Sequence, residues 1–430
     1  MRILLLNLYF PPDTSATARV AEAIVHKLAQ THEVTVLCGR PSYDPTERRP
    51  WKFWQTEHFT TKKFPDALPN SKNSGDLSTF TVIRVGSTDF SRKQMNLRIL
   101  NYLTFTKLAF WRALFIPCDI VFAMTDPPFA GILAAWIALL KRKPLVYDIQ
   151  DMYPDMAVAG SIVQPGLLSR LWEGLHRWAL RRAARVIVLG EDMRTRIIAK
   201  GIDPTKIFIV RNAVDPLPTH PATPDIDFHV ARSRGPHLNP EVVKAIRGNF
   251  RFVLLHAGNL GFYGAWDAII AAARLLQDQS IGILFVGDGA ERARLQTLAT
   301  GATNIRFLPF FSSSEIPSVL AAPDVHIVSI KRGLEGVVVP SKMFGIMAAA
   351  KPILAIAPAE TDVATLGARY GFAVNVDPDN ASQIASAIQQ LASDPAGVIR
   401  MGESAAYAAS QYSRAGELGK LGEILQTLLF

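Results

Sequence analysis

Short apolar runs recur along this chain between segments of helical periodicity. In the first half they read "RILLLNLY", "EVTVLC", "FTVIRV", "DIVFAM", "PLVYDI" and "RVIVLG"; in the second, "FRFVLLHAG", "IGILFVG", "NIRFLPF", "DVHIVSI", "KPILAIA" and "GFAVNV". Each run is continuously apolar instead of alternating, the pattern of a strand covered on both faces. Such strands separated by helices build parallel sheets, so the two series predict two doubly wound, Rossmann-like α/β domains. A chain of 430 residues also exceeds the usual size of one core.

The boundaries follow from where the pattern fails. Residues 1–212 make the first unit and 246–411 the second. The stretch from Asn212, "NAVDPLPTHPATPDIDFHVARSRGPHLNPE", is rich in Pro, His and Asp and has no periodicity, so 213–245 reads as a hinge. The last segment, 412–430, is expected to be a helix packing back on the first domain. An irregular insert, "YDPTERRPWKFWQTEHFTTKKFPDALPNSKNSGDLS", interrupts the first series at a length that suits a functional segment.

Composition changes this picture in three places. Cys38 and Cys118 are the only cysteines, which excludes a disulfide framework and a cysteine-based metal site and fits a reduced, cytoplasmic setting. "MRILLLNLYFPP" has no small-residue cleavage site and reads as a first buried strand, and "PPFAGILAAWIALLKRKP" falls short of the roughly 20 apolar residues that span a bilayer. Charge is uneven: residues 1–214 hold 29 Lys+Arg against 18 Asp+Glu, and 215–430 hold 17 against 19. The basic half carries "NLRILNYLTFTKLAFWRALFIP", where Arg98, Lys107 and Arg112 mix with Leu, Phe, Tyr and Trp. Two readings stay open: a helix lying in a membrane interface, or a partly buried core helix with a solvated basic edge. The first places the protein peripherally on the anionic inner face of the plasma membrane. No nucleic-acid-binding motif accompanies the positive charge.

Ligands of parallel sheets bind beyond the carboxyl ends of the strands, so the junctions there matter most. "AGNLGFYGAWDAII" places Gly258 and Gly261 around Asn259 before a helix, and "DGAERARLQTLA" opens with Gly287, Asp288 and Gly289. Such turns let main-chain amides approach a phosphate, although small residues also serve tight turns for steric reasons and Asp288 also suits a helix cap. In "VVVPSKMFGIMAAAKPILA", Pro340 and Ser341 are expected to start a helix with Ser341 as its N-cap. Lys342 then stands in a first turn that disfavours a cation unless an anion is shared. Gly345, costing a helix interior about 1 kcal/mol, marks either a face approached by ligand or backbone or close packing on the sheet. Converging on one rim, these three turns point to a diphosphate ligand.

Together the motifs resemble the GT-B-fold glycosyltransferases of family 4, in particular bacterial transferases that build lipid-linked surface polysaccharides. "LNLYFPPDTSATARVAEAIVHKLA", "TDPPFAGILAA", "YDIQDMYPDMAVAGSI", "IVRNAVD", "HAGNLG", "FVGDGAERARL" and "VVPSKMFGIMAAAKPILA" carry the likeness over nearly the whole chain. The resemblance implies that the second domain binds a nucleotide-sugar donor and the first an acceptor, with reaction in the cleft between them. It also shows departures. Relatives often place a ribose-binding Glu where this chain has Gly345, and an Arg and a Lys where it has Asn259 and Gly264. Lys331, Arg332 and Lys342 are the cations expected to take over the diphosphate charge. Relatives often carry a His followed by Asp where this chain has Gln150 and Asp151. Asp151 is therefore the candidate for positioning or deprotonating an acceptor hydroxyl, or else caps the next helix. Tyr9, Asp13, Thr14, Ser15, Gln150 and Asp155 would line the acceptor side, and Glu335, two residues before the relatives' first loop Glu, would contact the donor sugar.

Asp225-x-Asp227 and Asp377-x-Asp379 are the two metal-like pairs, one in the hinge and one in a turn before a surface-type helix. Basic side chains and helix termini can neutralise a leaving diphosphate, so the expectation is a reaction with no metal or other cofactor beyond the nucleotide-sugar co-substrate. The expected function is a retaining transferase moving a hexose from a UDP-sugar to a hydroxyl of a lipid-linked saccharide. A nucleotide-sugar epimerase of the same fold and a non-catalytic partner in a polysaccharide assembly complex are the alternatives.

Overall fold

The apolar runs become the strands of two sheets. In the computed structural model, which describes residues 1–42, 54–60, 79–88, 90, 95–214, 238–277 and 279–428, the first sheet contains β1 (Arg2–Leu6), β2 (Glu33–Gly39), β3 (Trp54–Thr60), β4 (Thr79–Val85), β5 (Ile120–Ala123), β6 (Leu145–Asp148), β7 (Arg185–Val188) and β8 (Ile207–Ile209). Their spatial order is β3-β4-β2-β1-β5-β6-β7-β8. The second sheet contains β9 (Phe252–Ala257), β10 (Ile281–Val286), β11 (Ile305–Leu308), β12 (Val325–Ser329), β13 (Ile353–Ile356) and β14 (Ala373–Val376), in the order β11-β10-β9-β12-β13-β14. All pairings are parallel except β3 on β4. The Asp225–Asp227 pair and most of the hinge and insert lie outside the described residues.

The sequence pattern does not predict β3 and β8. The edge strand β3, "WQTEHFT", comes from the insert and lacks the apolar run of a doubly covered strand, while β8 is only "IFI". Glu57 of β3 reaches the fully buried Arg84 of β4 at 3.1 Å, which ties this edge to the sheet.

Helices cover both faces. The first domain has α1 (Ala16–Leu28), α2 (Met95–Leu114), α3 (Ala130–Lys141), α4 (Asp155–Ala159), α5 (Leu167–Arg182) and α6 (Glu191–Ala199). The second has α7 (Pro240–Arg247), α8 (Trp266–Arg274), α9 (Arg292–Leu298), α10 (Ile316–Ala321), α11 (Lys342–Ala348), α12 (Asp362–Tyr370), α13 (Ala381–Ser393) and α14 (Pro395–Gln411), followed by α15 (Arg414–Gln426). Strand alternation sorts the first core. Leu4, Leu6, Val121 and Tyr147 join Phe105 of α2 and Leu133 of α3, whereas Ile3, Leu5, Phe122 and Val146 join Ile24 of α1. Leu421, Ile424 and Leu425 of α15 complete that second layer, so the last helix is anchored on the first domain by side chains worth about 2 kcal/mol each.

Strand order reverses between β1 and β5 in one sheet and between β9 and β12 in the other. At such a switch point the flanking connections leave in opposite directions and open a crevice. The domains meet near these crevices. Met193 and Ile197 of α6 belong to one buried cluster with Leu334, Val337 and Met343 of the second domain.

Candidate active site

The second domain's crevice begins where β9 ends. His256 is fully buried, with Nδ1 3.3 Å from the Ile327 carbonyl and Nε2 3.3 Å from Lys342 Nζ. Burial, with Lys342 beside it, holds the imidazole well below its ordinary value. The neutral tautomer with a proton on Nδ1 accepts from the ammonium through Nε2. Gly258 follows at positive φ, and a Cβ there would collide with Lys342 Nζ. Gly287 and Gly289 are also left-handed; side chains at them would strike the Gly258 and Leu260 carbonyls. Only glycine permits this interlocking of two strand-end turns.

The amides of Gly258, Gly287 and Gly289 are already used. Gly258 N donates to Val286 O (2.7 Å), Leu260 N to Asp288 O (2.8 Å), Gly287 N to Leu308 O (3.1 Å) and Gly289 N to Asp288 Oδ1 (2.8 Å). The amides of Asn259 and Gly261 donate to no protein acceptor among the described residues, so they are the donors the turn has left over. Asp288 likewise serves its own turn and does not cap α9, whose N-cap position is Glu291. Arg292, which the sequence reading did not single out, braces the rim by donating to the Gly287 and Leu308 carbonyls.

The third turn departs from expectation in two respects. Ser341 precedes α11 but has helical dihedrals and no side-chain cap hydrogen bond, because the Pro340 turn already enters the helix. At Gly345 an added Cβ would find only Leu320 Cδ1, at 3.9 Å, so neither a backbone nor close sheet packing explains the glycine. Lys342 does reach the rim. Burial pulls its ammonium down to about 8, and it has no carboxylate partner among the described residues. Lys331, after β12, donates its amide to the Tyr263 carbonyl at 2.7 Å and so stands beside the first turn. Arg332 is different: it is exposed and paired with Asp377 (2.8 Å) and Asp379 (2.9 Å), so its charge and that acidic pair offset each other.

In the first domain the β1 and β5 connections are tied by Leu8 N donating to Asp126 O at 2.7 Å. Thr125 Oγ1 accepts from the amides of Gln150 and Asp151, both at 3.2 Å, which fixes the loop after β6 alongside. Burial, reinforced by the charge of Asp126, pushes the Asp151 carboxyl up to about 7. Asp151 does not cap α4, where Pro154 holds the cap position. Gln150 donates to Asp148 (2.8 Å) and accepts from Asn212 (2.7 Å), linking the hinge to a second buried carboxyl also raised to about 7. Asp148 and Asp126 were missed; their signal was a carboxylate interrupting or ending an apolar run.

Other predicted acceptor residues serve the scaffold. Asp155 accepts from Arg196 (2.9 Å) and Lys200 (2.7 Å), which hold it below the carboxylate range despite burial, so both oxygens are taken. Ser15 caps α1 by accepting from Ala18 N, and buried Asp13 accepts from Ser42 N at 2.9 Å. Tyr9 is buried and Thr14 exposed in the same loop. Glu335 folds its carboxylate onto Gly333 N (2.8 Å), while its carbonyl accepts from Arg196 at 3.0 Å.

The two rims face one another. Phe262 of the donor-side turn lies against Gly160 at the end of α4, where a Cβ would come within 2.8 Å of its ring. Behind them Asp362 of α12 accepts from Glu191 N (3.1 Å) and pairs with Arg211 (3.3 Å), and Asp362 N donates to Asp192 (3.2 Å). Burial and the charge of Asp362 raise Asp192 to about 6. Among the described residues, no group of His, Cys, Asp and Glu could hold a metal ion and no helix is long and apolar enough to cross a membrane.

Known proteins resemble this chain in family and fold. Residues 15–213 match the family model described as a glycosyl transferase 4-like domain, and 251–394 match that of glycosyl transferases group 1. WcaI of Escherichia coli (strain K12), named for colanic acid biosynthesis glycosyl transfer, is 23% identical over 91% of this chain and 92% of its own. Among solved structures, Anabaena HepE in complex with UDP and glucose superposes with a TM-score of 0.66 at 17% identity, covering 99% of this chain and all of that one. WaaG, a glycosyltransferase involved in lipopolysaccharide biosynthesis, gives 0.63 at 16% identity over 99% of both chains.

Proposed function

Because the chain belongs to the two-domain GT-B glycosyltransferases that pair a transferase 4-like domain with a group 1 domain, we propose that it moves a hexose from a UDP-sugar to a hydroxyl of a lipid-linked saccharide, with retention of configuration. The observation that carries this reading is Lys342, a partly buried cation beside His256 and the Gly258 turn with no anion to balance it among the described residues. A departing nucleoside diphosphate develops negative charge where such a cation and the Asn259 and Gly261 amides stabilise it. Asp151, with a carboxyl near neutrality, receives or orients the acceptor hydroxyl from the opposite rim. Metal ions and other cofactors have no role in the proposal. A relative in colanic acid biosynthesis and a neighbour in lipopolysaccharide biosynthesis support a cell-envelope product.

The lipid character of the acceptor has its own support. Helices α2, α3 and α5 lie side by side and expose Leu103, Trp111, Phe115, Trp136, Leu168 and Leu171, with Lys107, Arg142 and Arg170 exposed among them. A face with large apolar side chains and a basic edge suits the surface of an anionic bilayer. Peripheral attachment at the inner face of the plasma membrane follows.

The decisive experiment is a thermal-shift panel of UDP, GDP, ADP and dTDP, since a ligand of the folded state raises its melting temperature. UDP is expected to give the largest shift. A panel in which no diphosphate shifts the protein would overturn the donor assignment.

A further inference from the structure

The inner face of α2 ends in a cation. Residues 98, 102, 105, 109 and 113 recur at helical spacing, and Tyr102, Phe105, Ala109 and Ala113 are all buried against the sheet. Arg98 occupies the next position of that stripe, at the end of the helix nearest the strand-end rim, where an apolar residue would continue the pattern. It is partly buried, and its Nε donates to the Tyr102 hydroxyl while the guanidinium carbon stands 5.3 Å over the Tyr102 ring. Tyr9 of the β1 loop and Tyr153 of the Asp151 loop also lie within its electrostatic reach.

Among the described residues Arg98 has no carboxylate partner. Three other sheltered arginines of this domain do have one: Arg84 has Glu57, Arg196 has Asp155 and Arg211 has Asp362. No salt bridge reaches Arg98 among the described residues. Beyond the Tyr102 hydroxyl its guanidinium donates to no protein acceptor among the described residues, and the planar fork left over matches a phosphate. The neighbours define which phosphate. On one side Tyr153 lies within electrostatic reach of both Arg98 and Asp151, the residue assigned above to the acceptor hydroxyl; on the other, the same helix exposes Leu103 and Trp111, with Phe115 exposed just past its end. Arg98 to Phe115 spans about 25 Å along the helix axis. Hydroxyl, phosphate and lipid are thus met in order along one path.

We propose that Arg98, framed by Tyr9, Tyr102 and Tyr153, is a recognition site for the phosphate ester that joins the acceptor saccharide to its lipid. The proposal rests on the acceptor reading above and adds the anionic group by which that substrate is held. Phosphate at this position comes either from the acceptor or from bilayer headgroups, and the experiment separates them.

The full-length protein is titrated with farnesyl diphosphate, with and without saturating UDP, and with farnesol as the uncharged counterpart. Wild type is expected to bind the diphosphate and not the alcohol. R98Q should weaken it on the order of tenfold to a hundredfold, with R98K intermediate, while UDP affinity and melting temperature stay unchanged. In parallel, both variants are mixed with vesicles of phosphatidylcholine and phosphatidylglycerol, to which R98Q should bind as wild type does. Equal farnesyl diphosphate affinity in wild type and R98Q would overturn the proposal. So would an R98Q variant that keeps that affinity but loses vesicle binding, since Arg98 would then read headgroups. Failure of UDP alone to bind indicts the donor assignment and leaves the Arg98 comparison standing.

Discussion

Replacing Lys342 by methionine separates the cost of the donor cation from its use. Moving an ammonium from its ordinary 10.5 to about 8 means that the folded protein carries the charge about 3 kcal/mol less favourably than the unfolded chain does. Since the folded value lies below the unfolded one, the penalty is complete below pH 8 and fades as pH rises from 8 to about 10.5. Methionine matches the length of lysine without the charge, and it forfeits only the 3.3 Å contact to His256, worth about 1 kcal/mol. K342M is therefore expected to be more stable than wild type at pH 7 by about 1–2 kcal/mol, a rise of roughly 2–4 °C per kcal/mol for a domain of this size. Near pH 10 the advantage should shrink. UDP affinity should move the other way, losing about 1.5–3 kcal/mol, or ten- to 150-fold, with the charged phosphate contact. Denaturant unfolding at pH 7 and pH 10 and calorimetric UDP titration at pH 7 read both effects. A K342M protein that is less stable at pH 7, or that binds UDP as tightly as wild type, refutes the reasoning.

Other outcomes follow from the same structure. If Asp151 must be ionised to act, turnover should fall about tenfold per pH unit below about 7, and D151N should lose on the order of 10²–10⁴ in kcat together with that acidic limb; a D151N profile parallel to wild type would remove it from the chemistry. Asp192, raised from 3.8 to about 6, costs the folded state about 3 kcal/mol once ionised, and the cost appears as pH rises through that interval. D192N should therefore stabilise the protein at pH 7.5 and not at pH 4, and equal denaturation midpoints at both values would contradict this. G345A places a methyl 3.9 Å from Leu320 in a helix interior, so unfolding experiments should find about 0.5–1 kcal/mol of added stability; a loss would mean that the face is more crowded than it is drawn. Flotation with anionic vesicles should be salt-sensitive and weakened by W111S/F115S, and equal binding to neutral vesicles at every salt concentration would exclude an electrostatic membrane contact.

The sheets were legible because a doubly covered strand must be apolar at every position. That requirement fails at an edge, which is why β3, with Gln55, Glu57 and His58, and the three-residue β8 left no mark. The glycine turns were legible as strand-end junctions, and the structure does bring Gly258, Gly287, Gly289 and Lys342 together. Their use was not. A sequence cannot say which amide of a glycine turn is free, and here those of Gly258, Gly287 and Gly289 close turns while Asn259 and Gly261 keep theirs. Gly345 was legible as an anomaly, but its neighbour Leu320 lies across a tertiary contact that no local pattern encodes.

Charge shows where local reading ends. Asp155, Arg332 and Lys342 look alike in the sequence, each a charged residue near a strand end. Only the fold reveals that Asp155 is closed off by Arg196 and Lys200 and Arg332 by Asp377 and Asp379, whereas Lys342 has no anion partner among the described residues. A paired charge is neutral to the scaffold and indifferent to substrate, since breaking the pair to bind a ligand costs about what the ligand returns. An unpaired sheltered charge destabilises the empty protein and is relieved when an ion of opposite sign arrives, so its desolvation is spent before the substrate binds. Lys342 is of this second kind. Its place beside the Gly258 turn gives the second domain's rim an attraction for a diphosphate that the self-paired residues cannot supply.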